Sequence, residues 1–215
     1  MSETLSERIL RENADVFAAM IDHRFVRDIE ADRLPSPVFD RYLVYEGAFV
    51  ETAVAIFAFA VARAPGMVGR RWFVGVLNAL VNEQIVYFEQ TFAARGIDPA
   101  AYDVRRPAVA EFRDGMLAIA EAGTYLDVVA AMFAAEWMYF TWCTRASTAA
   151  ISDLLLKAWV DLHAAPEFEA QARFLKDTLD AAGPGLTEAE AARLSAVFGR
   201  AQALEIAFHE AAYAV

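Results

Sequence analysis

The chain has 215 residues, a length that suits one domain with a substantial buried core. Apolar residues make up 58% of it and charged residues 23%, which excludes an intrinsically disordered segment. Thirty acidic residues against 19 basic ones give a formal net charge of −11, so most of the surface would repel nucleic acid. We therefore expect a globular protein that does not bind DNA or RNA.

The cysteine content and the apolar segments predict the cellular compartment of the protein. The single cysteine, Cys143, has no partner for an intramolecular disulfide, as is usual in a reducing cytoplasm. The opening residues, MSETLSERILREN, are charged and lack the apolar centre of a signal peptide. The most apolar stretch, residues 52–61, is too short to span a bilayer and is predicted to be part of a buried core helix. We expect a soluble, cytoplasmic protein without a membrane partner.

Apolar residues recur at helical spacing along the whole chain, and no alternating strand pattern competes with it. The predicted helices cover about residues 6–21, 36–63, 68–94, 107–123, 124–146, 152–163, 166–182 and 187–213. Their ends are marked by Ser36-Pro37 as a cap and first turn, by Gly96 as a stop, and by Thr187 with Glu190 as a capping box. The sequence predicts an all-α fold in which residues 1–215 form a single domain, a bundle of seven to eight helices.

Three glutamates lie on helix faces that should be buried. Glu205 interrupts an apolar stripe made of Leu194, Phe198, Ala201, Phe208 and Ala212. Glu46 shares a face with Phe39, Tyr42, Phe49 and Ala53, and Glu136 shares one with Met132, Tyr139 and Cys143. Because a buried carboxylate needs a partner or a raised pKa, three such acids favour a polar pocket inside the bundle. The alternative is that each acid meets an Arg, a Tyr hydroxyl or a helix end, or that the helix of Glu136 turns this edge to solvent.

The three histidines, His23, His163 and His209, give little reason to predict a metal. His209 follows Glu205 by four residues, a spacing that can place two metal ligands on one helical turn. A di-iron site needs such pairs on several helices, and no other histidine has one. We therefore predict no metal and expect His209 to be a partly exposed residue beside the apolar stripe. The sequence also lacks the glycine-rich nucleotide loops and the Gly-x-Ser-x-Gly elbow of hydrolases.

Several segments, in order along nearly the whole chain, resemble the TenA/thiaminase II family, whose members have a haem-oxygenase-like helical fold. The segments are His23-Arg24-Phe25-Val26, Leu34-Pro35 with Phe39, Tyr42-Leu43-Val44-Tyr45-Glu46, Glu83, Gly96-Ile97, Trp159 and the stretch LEIAFHEAAY at 204–213. The resemblance implies the haem-oxygenase-like version of the all-α fold. It also implies a homodimer or homotetramer and a reaction without a cofactor.

Family members of the thiaminase II type hydrolyse or bind aminopyrimidines derived from thiamine, so the resemblance implies an aminopyrimidine-like small-molecule ligand. By position, Glu205 corresponds to the family's catalytic glutamate, and Glu46 to an aspartate that holds the pyrimidine's amino and ring nitrogens. Phe49, Tyr139 and Phe208 correspond to walls of the family's pocket.

Three positions depart from the family pattern. Ala135 stands where the family has its cysteine nucleophile, and Phe112 and His163 stand where it has two pocket tyrosines. Without a thiol no covalent adduct can form at position 135, and Cys143 lies more than two helical turns away. A branch of the family lacks the cysteine and uses paired glutamates. Glu136 is therefore predicted to be a second acid beside Glu205, with Tyr139 next to it.

The sequence thus favours a hydrolase that acts on a C–N bond by a cysteine-independent mechanism. Its predicted catalytic residues are Glu205, Glu136 and Tyr139, and its predicted ligand-binding residues are Glu46, Phe49, Phe112, His163 and Phe208. Three alternatives stand beside it: a non-catalytic small-molecule binding protein, an oxidase on the same fold, and a transcriptional regulator. The oxidase would be di-iron, or cofactorless like the pyrroloquinoline quinone synthases. The acidic composition argues against the regulator.

Overall fold

The computed structural model describes residues 3–214, and every regular element in that range is helical. The α-helices are α1 (Leu5–Glu12), α2 (Ala14–Ile21), α3 (Arg24–Glu30), α4 (Ser36–Arg63), α5 (Met67–Ala79), α6 (Ile85–Arg95), α7 (Pro107–Ala122), α8 (Tyr125–Ala146), α9 (Leu154–His163), α10 (Pro166–Ala182) and α11 (Glu188–Ala211). A π-helical turn, Leu80–Gln84, continues α5 into α6, and 3₁₀ turns lie at Pro99–Ala101 and Gly183–Gly185. The predicted all-α fold class is confirmed.

Several helix ends that depend on local chemistry lie where the sequence predicts them. Pro107 and Pro166 begin α7 and α10, where a missing N–H costs nothing. Gly96 ends α6 at a φ of 68°, a left-handed conformation that glycine adopts without strain. Before α11, the Thr187 N–H donates to Glu190 Oε2 (2.8 Å), and the Glu190 N–H donates to Thr187 Oγ1 (3.3 Å). The predicted capping box is present.

Two predictions at the start of the chain are wrong. The predicted helix 6–21 is broken at Asn13, whose Nδ2 donates to the carbonyl and the hydroxyl oxygen of Ser195, both at 3.0 Å. Helix α3, which is only seven residues long, is not among the predicted helices. Its first turn is held by His23, whose Nδ1 accepts from the Phe25 N–H at 3.2 Å.

Other helix starts need correction. Ser36 lies inside α4, and Pro35 occupies the capping position. Helix α9 begins after Asp153, not at Ser152, because the Asp153 carboxylate accepts from the N–H groups of Leu155 and Leu156 at 3.0 and 3.1 Å.

The chain divides into two compact units. The first unit comprises residues 3–34 and 129–206, and the second comprises residues 35–128 and 207–214. The first unit buries Phe25, Phe133, Trp142, Trp159 and Phe198, and the second buries Phe39, Tyr42, Tyr45, Phe57 and Phe73. That residues 1–215 act as one domain stays a prediction.

Helix α4 alone, within residues 3–214, is long and apolar enough to cross a membrane by length and composition. It packs against α5 and α7 in the second unit, where side chains such as Leu43, Ile56 and Phe57 are buried. The buried residues of α4 therefore lie in the core of that unit, and they include part of the stretch 52–61.

Candidate functional site

Glu136 of α8 is buried in the first unit, with 9% of its surface exposed. Its Oε1 accepts a hydrogen bond of 2.9 Å from Gln171 Nε2 of α10, whereas Oε2 has no hydrogen-bond partner among the described residues. Burial raises the pKa of Glu136 to about 7, and the Gln171 hydrogen bond opposes part of that rise. The alternative in which α8 turns Glu136 to solvent is wrong. A carboxyl group that titrates near neutral pH can both donate and accept a proton there.

Two small residues, Ala134 and Ala135, precede Glu136 on α8. Ala134 and Ala135 are both buried, and the Ala134 carbonyl accepts from Gln202 Nε2 of α11 at 2.6 Å. The methyl group of Ala135 cannot act as a nucleophile. Cys143 is buried about 12 Å further along the helix, at 1.5 Å per residue.

Tyr139 and His163, both predicted site residues, are neighbours in an aromatic group of the first unit. The Tyr139 ring lies 5.3 Å from that of His163 and 5.8 Å from that of Trp159, measured between centroids. The centroid of the His163 ring also lies 4.2 Å from that of Trp159 and 4.8 Å from that of Phe168. The structure thus places the two residues side by side.

His163 is neutral and has a fixed tautomer. Its Nδ1 donates to the Trp159 carbonyl at 2.8 Å, because a carbonyl oxygen can only accept. Burial lowers the pKa of His163 to about 4, although the bond to Trp159 opposes this. Nε2 is therefore an unprotonated hydrogen-bond acceptor at neutral pH.

Glu205 is buried in α11, with 1% of its surface exposed. The predicted apolar stripe around it is confirmed, since Leu194, Phe198, Ala201, Phe208 and Ala212 are all buried. The expectation for His209 is wrong: it is fully buried, and its ring lies 5.2 Å from that of Tyr42 in the second unit. Gln202 is buried as well, so the buried face of α11 is wider than the one stripe that apolar residues indicate.

Three of the predicted ligand-binding residues meet in the second unit. Phe112 of α7 lies 4.6 Å from Phe49 of α4 and 4.6 Å from Phe208 of α11, between ring centroids. All three line a pocket of about 410 Å³. The other lining residues are Tyr45, Gly47, Ala48, Glu51, Thr52, Val104, Val109 and Arg113. Its volume lies in the range of small-molecule sites, and the aromatic wall suits a planar ring.

Glu46 lies on α4, three residues before Phe49. Both are half-buried, so the prediction that this face is fully buried holds only for Phe39, Tyr42 and Ala53. Burial, and then the negative charge of Glu46, raise the pKa of Tyr87 of α6 to about 12. Glu46 therefore lies near the Tyr87 hydroxyl.

No three His, Cys, Asp or Glu side chains within residues 3–214 are grouped so that they could hold a metal ion. A di-iron centre needs at least such a group. Residues 3–214 therefore contain no set of ligands for a di-iron oxidase.

Comparison with known proteins identifies the family. Residues 12–214 match the model of the TENA/THI-4/PQQC family. The chain belongs to this family. A curated relative, the aminopyrimidine aminohydrolase of Halalkalibacterium halodurans, is 24% identical over 202 residues, which cover 92% of this chain and 90% of the relative.

Solved structures share the fold. A TenA homologue from Pyrococcus furiosus matches with a TM-score of 0.89 at 20% identity, over 97% of this chain and 100% of that one. A TenA family transcription regulator from a Silicibacter species matches with a TM-score of 0.88 at 24% identity, over the whole of both chains. A putative TenA-like thiaminase from Sulfolobus solfataricus reaches 0.79 at 16% identity, over 96% and 94%. The fold is that of TenA proteins, and the predicted family resemblance is confirmed.

Sequence reasoning missed Gln171 and Gln202. Gln171 lies in the charged stretch PEFEAQARFLKD of α10, where nothing in the pattern distinguishes it from a solvent-exposed residue. Gln202 is adjacent to the Glu205 stripe but is not part of it. The available signal for Gln171 is the lone buried acid Glu136, which needs a donor from another helix. No signal in the sequence indicates the bond from Gln202 to the Ala134 carbonyl, which lies in the middle of α8.

Proposed function

We propose that this TenA-family protein hydrolyses the C–N bond of an aminopyrimidine or a related small heterocycle, using glutamates in place of a cysteine nucleophile. Family membership and the curated relative named aminopyrimidine aminohydrolase support the substrate class. The chemistry of this chain's own residues supports the mechanism.

The observation that carries the mechanism is the state of Glu136. Burial raises the pKa of this carboxyl group to about 7, so it is partly protonated at neutral pH, as a general acid should be. It adjoins Ala135, where a covalent mechanism would need a thiol. A carboxylic acid here makes direct displacement by water the natural route.

The reaction balances with two carboxyl groups. Glu205, as carboxylate, takes a proton from water while the water oxygen forms the new C–O bond. Glu136, as carboxylic acid, gives its proton to the leaving nitrogen as the C–N bond breaks, and ammonia or an amine departs. Tyr139 and the neutral His163 then supply a hydroxyl group and an acceptor nitrogen to orient polar groups of the ligand.

The second unit offers the features that bind a planar heterocycle. Phe49, Phe112 and Phe208 provide an aromatic wall, and the carboxylate of Glu46 suits the amino and ring nitrogens of an aminopyrimidine. A ring of this size fits a pocket of about 410 Å³.

The test is release of ammonia from aminomethyl-pyrimidines and release of amines from their substituted forms. Glu136→Gln and Glu205→Gln should each lower kcat by about a hundredfold or more. Glu89→Gln, an exposed glutamate on α6, is the matched control and should keep full activity. A Glu136→Gln variant with unchanged kcat would remove Glu136 from the mechanism.

A non-catalytic binding protein is the second candidate, favoured by the loss of polar groups at Ala135 and Phe112. It predicts calorimetric binding of the aminomethyl-pyrimidine product of thiamine breakdown without any turnover. Binding that disappears in Glu46→Gln would support the assigned ligand-binding residues in either case. No detectable binding would mean that the fold serves another ligand.

A further inference from the structure

Gln171 is the partner that α10 supplies to the buried carboxyl group of Glu136. Its Nε2 donates to Oε1 over 2.9 Å, and no other hydrogen bond reaches this carboxyl group within residues 3–214. The groups that influence Glu136 are few: burial and the Gln171 amide, with no charged side chain among them. The two carboxyl oxygens are therefore in different environments.

This asymmetry decides which oxygen carries the proton. An oxygen that accepts an N–H hydrogen bond serves best as the carbonyl oxygen of a carboxylic acid, since a hydroxyl group there would place two hydrogens against each other. The proton then resides on Oε2, the oxygen without a partner in the described part of the chain. The same hydrogen bond holds the side chain in one rotamer.

We propose that Gln171 is a positioning residue that keeps the transferable proton of Glu136 on Oε2 and holds this oxygen in a fixed orientation. Gln171 does not touch the reacting atoms in this assignment. The inference rests on the proposed function of Glu136 as the acid. It adds a residue that neither a motif nor the family resemblance identifies.

A purely structural role makes a different prediction. If Gln171 only packs beside Glu136 and its hydrogen bond has no energetic weight, its loss lowers stability and leaves the proton equilibrium and the pH dependence of turnover unmoved. The test therefore needs readouts that folding alone does not change.

Gln171→Met keeps the shape of the side chain and removes the donor, and Gln90→Met on the exposed face of α6 is the matched control. Infrared difference spectra between acid and alkaline pH report the C=O band of protonated Glu136, which Glu136→Gln identifies by its absence. In Gln171→Met this band should move to higher frequency, because the carbonyl oxygen loses its donor. Its titration midpoint should rise by about one pH unit.

Kinetics test the catalytic consequence. Since the acid must be protonated, the alkaline limb of the kcat profile should move up in Gln171→Met by the same amount as the infrared midpoint. We expect kcat at neutral pH to fall about tenfold and KM to stay within about twofold, because orientation is lost and no substrate contact is removed. Gln171→Glu, which keeps the shape and adds a like charge, should move both midpoints further in the same direction.

An infrared band and midpoint that stay in place in both Gln171 variants would overturn the inference, as would an unchanged kcat profile beside a shifted band. Failure of the proposed function is recognised separately. The wild-type protein would then release no ammonia or amine from any aminopyrimidine, and the infrared measurement would still decide where the proton of Glu136 resides.

Discussion

Glu136 lowers the stability of the protein at neutral and alkaline pH. Its pKa is raised from 4.5 to about 7 by burial, so the folded state holds the proton more tightly than the unfolded state does. The free energy of unfolding is highest, as far as Glu136 is concerned, below about pH 4.5, where the group is protonated in both states. It falls as the pH rises through about 7, because the folded state must then bury the charged form. At about 1.4 kcal/mol for each unit, the loss amounts to about 3 kcal/mol.

We therefore expect Glu136→Gln to be more stable than the wild type at pH 8.5, by up to about 3 kcal/mol in the free energy of unfolding, while turnover collapses. The gain should shrink steadily as the pH is lowered towards 4.5. Urea denaturation of both proteins across that range measures it. A constant difference at all pH values would mean that the pKa of Glu136 is not raised in the folded state.

His163 gives a second prediction at this scale. Its pKa is lowered to about 4 by burial, and its Nδ1–H is held by the Trp159 carbonyl. Nitrogen-15 NMR should therefore find one neutral tautomer, with the proton on Nδ1, from pH 8 down to about pH 5. His23, which caps α3, is the internal comparison in the same spectra. A His163 ring that becomes protonated near pH 6.5 would exclude the acceptor role of Nε2.

Asn13 separates α1 from α2, and at this junction its side chain contacts α11. A Cβ placed at Gly199 would lie 2.3 Å from Asn13 Oδ1, and Asn13 is held in place by its bonds to Ile9 and Ser195. Gly199→Ala should lower the free energy of unfolding by about 1–3 kcal/mol, although alanine is normally the better helix former.

Gly75 of α5 is the matched control, because nothing lies within 4 Å of a Cβ added there. Gly75→Ala should raise stability by about 0.5–1 kcal/mol through helix propensity alone. Thermal unfolding of both variants measures the two changes in stability. Equal gains in the two proteins would show that the Asn13 side chain moves aside at little cost.

The same junction explains what the sequence does and does not predict. Gly96, Pro107, Pro166 and the Thr187 capping box act through their own backbone, so they locate helix ends correctly. The break at Asn13 depends on Ser195, which is 182 residues away, and no local pattern contains it.

The features of the candidate site also separate into those that the sequence predicts and those that it does not. The burial of Glu205 follows from the periodicity of its own helix, and the sequence predicts it. The burial of Glu136 likewise follows from the apolar face that it shares with Met132 and Cys143. The hydrogen bond from Gln171 and the contact of His209 with Tyr42 are not predicted, because each joins side chains of two different helices.

At the scale of the whole molecule, the predicted homodimer or homotetramer needs an interface. An exposed apolar surface on α5, the π-helical turn and α6 is a candidate for it. The exposed apolar residues there are Met67, Val68, Val74, Val81, Ile85 and Val86. Arg70 and Arg71 flank this surface at its start, and Glu83 and Glu89 flank it towards its end, all four being exposed. Two copies that pair antiparallel would bring the basic end of each surface against the acidic end of the other. Such self-complementarity is what a two-fold interface requires.

We propose that a second copy of the chain covers this apolar surface. A Val74→Glu, Val81→Glu double variant would place carboxylates in the centre of the interface and should convert the oligomer to a monomer. Size-exclusion chromatography with light scattering measures the mass. Leu154→Glu, at an even more exposed apolar residue on α9, is the control and should keep the wild-type mass. High salt should weaken the wild-type assembly if the end charges contribute. A monomeric wild type, or a double variant of unchanged mass, would show that this surface does not join the copies.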